Sequence, residues 1–151
     1  MQWIERVVWI FIVLLGCEES IKYDEILAGK RAKEFAEAAF IRQDFENAYG
    51  KMSDAAKRYV TLENFKKTVA QLHPDGYPKS IELIEFETVP SEKKAVYIFL
   101  VGETPGSRYY YRLMMEGTAG SDYKVSIVEN EFRPYPVSPL RKPMPTELKP
   151  S

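Results

Sequence analysis

The spacing of apolar residues changes once along this chain, at the sequence His73-Pro74-Asp75-Gly76-Tyr77-Pro78. Before it, apolar residues recur at the spacing of amphipathic helices, and after it they alternate with polar residues as in strands. Proline cannot continue a helix and Pro-Asp-Gly favours a turn, so this segment separates two halves. Helices followed by strands predict an α+β fold, with N-terminal helices packed on one face of a mainly antiparallel four-stranded sheet.

The first half, from about Ile26 to Leu72, is predicted to be helical. Its early part carries one apolar stripe at helical spacing, with charged residues on the remaining faces. Further along, three residues of the types that cap helix N-termini precede short apolar patterns. These candidate caps are Asp44, Ser53 and Thr61.

The second half is predicted to form four strands, over residues 80–89, 94–101, 108–116 and 122–132. In the first strand the apolar phase shifts between Leu83 and Ile84, which indicates a bulge or a bend. The second strand is apolar on both faces, so both faces need cover. The proline-rich segment 133–151 contains six of the ten prolines and is predicted to be an extended or disordered tail.

Alternation divides the strand residues between two surfaces. We expect one surface, together with the first helix, to line an apolar interior that is a candidate ligand pocket, with residues Phe35, Tyr109, Tyr111 and Met115. We expect the other surface to bind a second copy of the chain or another protein, because a monomer rarely exposes a large apolar patch. Its candidate interface residues are Tyr97, Phe99, Arg108, Tyr110, Arg112 and Met114. The alternative is that the tail folds back over this surface.

An apolar run from Val7 to Leu15 is followed by Gly16 and Cys17. The run is about half the ~20 residues that a membrane-spanning helix requires. Residues 1–16 resemble a bacterial lipoprotein signal peptide, and Leu14-Leu15-Gly16-Cys17 resembles its lipobox. The resemblance implies lipid attachment at Cys17, a tether over residues 17–25 and a position in the cell envelope, facing the periplasm or the cell exterior. The alternative is that Cys17 is an ordinary buried thiol at the end of a core helix.

Removal of the predicted signal peptide, residues 1–16, would leave 135 residues. That length suits one domain of ordinary size. The net charge is −1, which makes nucleic acid a poor candidate partner. Cys17 is the only cysteine, so the domain is expected to be stabilised by packing rather than by disulfides.

The sequence from Asp44 to Ser53, then Leu62-Glu63-Asn64-Phe65, then strands without crossover helices, resembles the nuclear transport factor 2-like superfamily. The resemblance covers residues 26–132 and implies a sheet curled around a long helix into a cone. The superfamily includes isomerases, dehydratases and noncatalytic domains, so the fold does not determine the function.

Catalytic chemistry has few candidates in this sequence. His73 is the only histidine and has no neighbouring residues at metal-ligand spacing, so we expect it to be structural or solvent-exposed. Glu82, Glu85 and Glu87 alternate along a strand; they are either an acid/base group or, as we favour, the solvated face of that strand. The Arg108–Arg112 segment interleaves arginine with tyrosine, a pattern that can stack on bases but here favours cross-strand packing.

The sequence therefore favours a lipid-anchored, noncatalytic binding or assembly module, without cofactor or metal. Its ligand would be an apolar small molecule in the interior or a protein on the sheet. The alternative is an isomerase- or dehydratase-type enzyme acting on a small apolar substrate within the same cone. An acid/base enzyme needs a buried titratable group with a partner, whereas the inward candidates here are tyrosines and methionines.

Overall fold

The computed structural model describes residues 24–92, 94–131 and 138–145. The predicted signal peptide, Cys17 and the tether up to residue 23 lie outside these ranges, as do residues 132–137 and 146–151 of the predicted last strand and tail. The described chain is an α+β structure in which helices pack against an antiparallel sheet. Its helices are α1 (Glu25–Ala36), α2 (Phe45–Gly50), α3 (Asp54–Lys57) and α4 (Leu62–Leu72), and a π-helical turn (Glu37–Ile41) follows α1. Its strands are β1 (Ser80–Thr88), β2 (Ala95–Glu103), β3 (Arg108–Thr118), β4 (Asp122–Asn130) and β5 (Arg141–Pro143).

Side chains cap the start of every α-helix in the described chain. The Asp44, Ser53 and Thr61 side chains accept hydrogen bonds from the backbone N–H groups at the third position beyond each, which confirms all three predicted caps. Asp24 caps α1 in the same way. Such a cap contributes about 1 kcal/mol by satisfying a backbone donor that has no partner within the helix. Among the described residues, no helix has the length and apolar character needed to cross a membrane.

The sheet has five strands in the order β4-β3-β2-β1-β5, so the predicted count of four is wrong. The additional strand lies within the proline-rich tail, where it pairs with β1 through Glu85, Phe86 and Glu87. A strand of three residues that contains a proline has too little alternation to be recognised from sequence. The predicted bulge in β1 is confirmed, because its register with β2 shifts between Leu83 and Glu85.

The helices cover one face of the sheet, here called the inner face. α1 approaches the sheet closely, because its buried positions Ala28, Gly29, Ala32 and Ala36 are small. The π-helical turn then buries Ala38, Ala39 and Phe40 in succession. The sheet residues in this core are Ile81, Val96, Ile98, Leu100, Tyr109, Tyr111, Leu113, Met115, Tyr123 and Val125.

The opposite, outer face of the sheet is partly covered by residues 138–145, here called the C-terminal strap. Ala95, Phe99 and Val101 of β2 point to this face and are buried, as are Val96, Ile98 and Leu100 on the inner face. Apart from the half-buried Tyr97, the apolar side chains of β2 are therefore buried on both faces. The strap also reaches the inner layer, where Met144 packs against the core and its backbone N–H donates to the Ile84 carbonyl.

Candidate binding surface and the buried histidine

The four candidate pocket residues lie on the inner face, within the hydrophobic core. Phe35, Tyr111 and Met115 are fully buried, and Tyr109 is nearly so. The Phe40 ring stacks on Tyr111 with ring centres 4.6 Å apart, and Phe35 contacts Phe40 edge to face. Packed side chains therefore surround these residues.

His73 joins this core directly after α4. It is 5% exposed, and Phe40, Tyr77, Tyr109 and Tyr111 contact its ring. Of the two predicted alternatives, structural or solvent-exposed, the burial favours the structural one. The lone histidine is thus part of the packing between α4 and β3.

Both ring nitrogens of His73 have hydrogen-bond partners. Nδ1 lies 2.7 Å from the Val69 carbonyl oxygen, and Nε2 lies 2.7 Å from the Tyr111 hydroxyl. A carbonyl only accepts, so Nδ1 carries the proton in the neutral ring and Nε2 accepts from the Tyr111 hydroxyl. Tyr109 is similarly engaged, because its hydroxyl accepts from the Asp75 N–H. The imidazole of His73 and the hydroxyls of Tyr111 and Tyr109 therefore all have hydrogen-bond partners inside the protein.

Burial lowers the pKa of His73 below its usual value, although the hydrogen bond to Val69 opposes the shift. Burial also raises the pKa of the Tyr111 hydroxyl far above that of a free tyrosine, and the neighbouring Tyr109 adds to this effect. Both shifts favour the uncharged forms at neutral pH. An uncharged, hydrogen-bonded pair of this kind stabilises a core.

The candidate interface residues predicted from the sequence lie on the outer face of the sheet. Tyr97, Met114 and Ile127 are direct neighbours across β2, β3 and β4, and together they are called the outer row. Tyr97 and Met114 are half-buried, and Ile127 is 40% exposed, so the row presents apolar atoms to solvent. Arg112 borders it: its guanidinium lies 5.0 Å from the Tyr97 ring centre, and its Nε donates to Glu129 at 3.0 Å.

The remaining outer-face candidates have partners within the chain. Arg108 is exposed and forms an ion pair with Glu103, while Tyr110 lies half-buried opposite Val101. Phe99 is fully buried because the Arg141 guanidinium of the strap lies 3.6 Å from its ring centre. The alternative considered from sequence, a tail folded over this face, therefore occurs at Phe99.

The predicted solvated face of β1 is only partly exposed. Glu82 is exposed, whereas Glu85 and Glu87 are half-buried and face Arg141, with N to O distances of 3.6 and 4.0 Å. Within the described ranges, no cluster of three or more histidine, cysteine or acidic residues is arranged to hold a metal ion.

A groove with a volume of about 550 Å³ adjoins the outer row at the end of the sheet. Its lining includes the apolar residues Ala95 and Met114, and Met114 also belongs to the outer row. The lining also carries charges of both signs, from Asp54, Lys57, Glu92, Lys94, Glu116, Asp122 and Lys124. Apolar and charged side chains occur together in protein-binding sites.

A smaller cavity of about 240 Å³ lies between α1 and the start of β4. There, Arg31 Nε donates to Asp122 at 2.9 Å and its Nη1 donates to Glu34 at 2.9 Å. The hydrogen bond from Arg31 holds the pKa of Asp122 below its usual value. The Tyr123 hydroxyl, which belongs to a residue that lines this cavity, accepts from the Asp24 N–H. Neither cavity borders His73.

Two features of this surface were not predicted from the sequence. Arg141 belongs to a segment with no periodicity, and the groove is assembled from α2–α3, the β1–β2 connection and one end each of β2, β3 and β4. The sequence gives one indication of this cover: Phe99 is a large apolar residue on the face of β2 that the helices do not cover.

No protein-family model, curated protein or solved structure matches this chain. Its function is therefore argued from the geometry of these surfaces.

Proposed function

We propose that this protein is a lipid-anchored, noncatalytic binding or assembly module of the cell envelope, and that it binds a protein on the outer face of its sheet. The observation that carries this proposal is the outer row, which exposes apolar atoms and continues through Met114 into the mixed-charge groove. Apolar centres with charged rims are typical of protein contacts. The bound protein is a second copy of this chain or another envelope protein.

The state of the interior supports binding rather than isomerase-type chemistry. The inward tyrosines and the histidine are packed among aromatic rings, and their hydroxyl and imidazole groups are bonded to one another or to the backbone. A general base needs access to its substrate, within hydrogen-bond reach. An apolar small molecule in the interior would have to displace the packed side chains.

A nuclear transport factor 2-like identity is part of the same proposal. It is supported by helices that cover one face of an antiparallel sheet whose first four strands are neighbours in chain order. It is also supported by the positions of Asp44 and Ser53, which cap consecutive helices within the segment that carries the resemblance.

The proposed anchor would hold the domain close to the membrane. Asp24 lies seven positions after Cys17, and a fully extended chain over seven positions spans about 25 Å. Asp24 itself is fixed by its hydrogen bond to Tyr123. The end of the domain that carries the β3–β4 turn would therefore remain within this distance of the lipid surface.

The anchor is tested by mass spectrometry of the native protein and by fractionation of a Cys17→Ser variant. We expect a diacylglyceryl-modified Cys17 at the mature N-terminus, and we expect the variant to be unprocessed or released from the membrane fraction. An unmodified Cys17 that still follows residues 1–16 would contradict the anchor.

The binding surface is tested by placing a photo-crosslinking amino acid at Ile127 of the full-length protein in its native membrane. The matched control carries the same group at Tyr59, which is 87% exposed in the α3–α4 connection. We expect an adduct of defined mass from Ile127 alone, and Met114→Asp should abolish it. Equal labelling from Tyr59, or no adduct from Ile127, would contradict the proposed surface.

A further inference from the structure

Among the ion-paired cations of the described residues, Arg141 is the most enclosed, with a side chain that is 8% exposed on the outer face. Its guanidinium lies over the Phe99 ring at 3.6 Å, and its Nη2 lies 2.6 Å from a Glu131 carboxylate oxygen. Glu85 and Glu87 approach from β1 at 3.6 and 4.0 Å. An aromatic face combined with carboxylates at the edge is the arrangement that recognises a planar guanidinium.

The backbone of the strap pairs with β1 over a short stretch only. β5 has three residues, and Pro143 has no N–H to donate to the sheet. Beyond β5, Met144 donates one backbone hydrogen bond to Ile84. The Met144 side chain occupies space left by Gly29, where an added Cβ would lie 2.5 Å from the methionine methyl carbon. Recognition of this segment therefore depends chiefly on the Arg141 and Met144 side chains.

The arginine site and the outer row are adjacent. Phe99 lies two residues from Tyr97 on the same strand and face, a separation of about 7 Å. In the register of the sheet, Arg112 stands opposite Phe99 and borders the row. A protein that covers the row must therefore meet the strap.

We propose that Phe99, with Glu85, Glu87 and Glu131, forms a recognition site for an arginine on an extended segment, and that a partner presenting such an arginine competes with the strap for it. The inference rests on the proposed function, because it assumes that the outer face binds a protein. The partner's chemistry follows from the site: carboxylates select a cation, the aromatic ring favours a planar one, and the edge of β1 accepts an extended backbone. The chain's own Arg141 fills the site in the free protein.

The test measures binding of a fluorescent peptide with the sequence of residues 138–145 to the full-length protein in detergent. We expect the Arg141→Ala protein to bind this peptide about tenfold or more tightly than the parent, because the parent's site is already filled. A peptide carrying Arg141→Ala should show no measurable binding. A peptide carrying Arg141→Lys should bind several-fold more weakly than the arginine peptide, because an ammonium lacks the planar fork.

A Phe99→Leu substitution added to the Arg141→Ala protein should abolish peptide binding while the thermal unfolding transition persists. If Arg141→Ala protein fails to fold, the Arg141→Lys protein replaces it, and we expect the same order of peptide affinities. Equal binding of the arginine and alanine peptides, or no binding to either variant protein, would overturn the inference. Photo-crosslinking from Ile127 does not depend on this peptide, so an intact adduct without peptide binding would refute the arginine site and leave the proposed function standing.

Discussion

Removing one hydroxyl, by the substitution Tyr111→Phe, tests the account of the buried histidine. The Tyr111 hydroxyl is the hydrogen-bond donor at His73 Nε2, because Nδ1 faces the Val69 carbonyl. The substitution keeps the ring that stacks on Phe40, so it opens no cavity. It leaves a buried nitrogen without its donor, and such a loss costs about 1–3 kcal/mol.

The cost should appear as a lower free energy of unfolding, with a melting temperature reduced by about 3–10 °C for a domain of this size. Tyr111→Ala also removes the buried ring, so it should cost more, about 3–5 kcal/mol. Urea unfolding measures both costs, provided that the dependence of free energy on urea concentration matches that of the parent. Tyr59→Phe is the control, since that side chain is 87% exposed and its change should stay within about 0.5 kcal/mol.

A double-mutant cycle separates the hydrogen bond from the packing. In a His73→Phe background the Tyr111 hydroxyl has lost this acceptor, so Tyr111→Phe should cost little or should stabilise. A coupling of about 1–2 kcal/mol is expected between the two positions. If Tyr111→Phe matches Tyr59→Phe in stability, or if the changes at Tyr111 and His73 are additive, the hydrogen bond between them does not stabilise the core.

Three other outcomes are expected. The free energy of unfolding should fall as the pH decreases below about 6.5, because His73 takes up a proton more readily in the unfolded state than in the folded state. Thermal unfolding of the His73→Phe protein should not show this dependence between about pH 5 and 7. Gly117→Ala should reduce the melting temperature strongly, since an added Cβ would lie 1.9 Å from the Asp122 carbonyl oxygen, whereas Gly50→Ala, with nothing within 4 Å, should not. Ser53→Ala should cost about 1 kcal/mol in urea unfolding through the lost α3 cap.

Local features of this fold were readable from the sequence. The caps Asp44, Ser53 and Thr61 each bond to a backbone N–H three positions away, so residue type and spacing predict them. The bulge near Leu83 follows from the apolar phase of a single strand. The division of β3 into two faces follows from alternation, and the inner set lies in the core as a group.

Features that depend on distant parts of the chain were not readable in this way. His73 and Tyr111 are 38 positions apart, and neither flanking sequence indicates their hydrogen bond. Arg141 meets carboxylates from β1 and from Glu131, and a three-residue strand has no pattern of its own. The groove likewise exists only once four separate segments have been brought together.

The two margins of the described sheet limit how copies of this protein can associate. One margin ends in β5, which is short and contains Pro143. Along the other, Ser53 donates to the Val125 carbonyl and the Val125 N–H donates to Lys51, so part of the backbone of β4 is already engaged. Short, interrupted edges discourage the strand-to-strand pairing that leads to fibres. Copies of this protein that associate would therefore meet face to face, where side chains rather than backbone decide which contacts form.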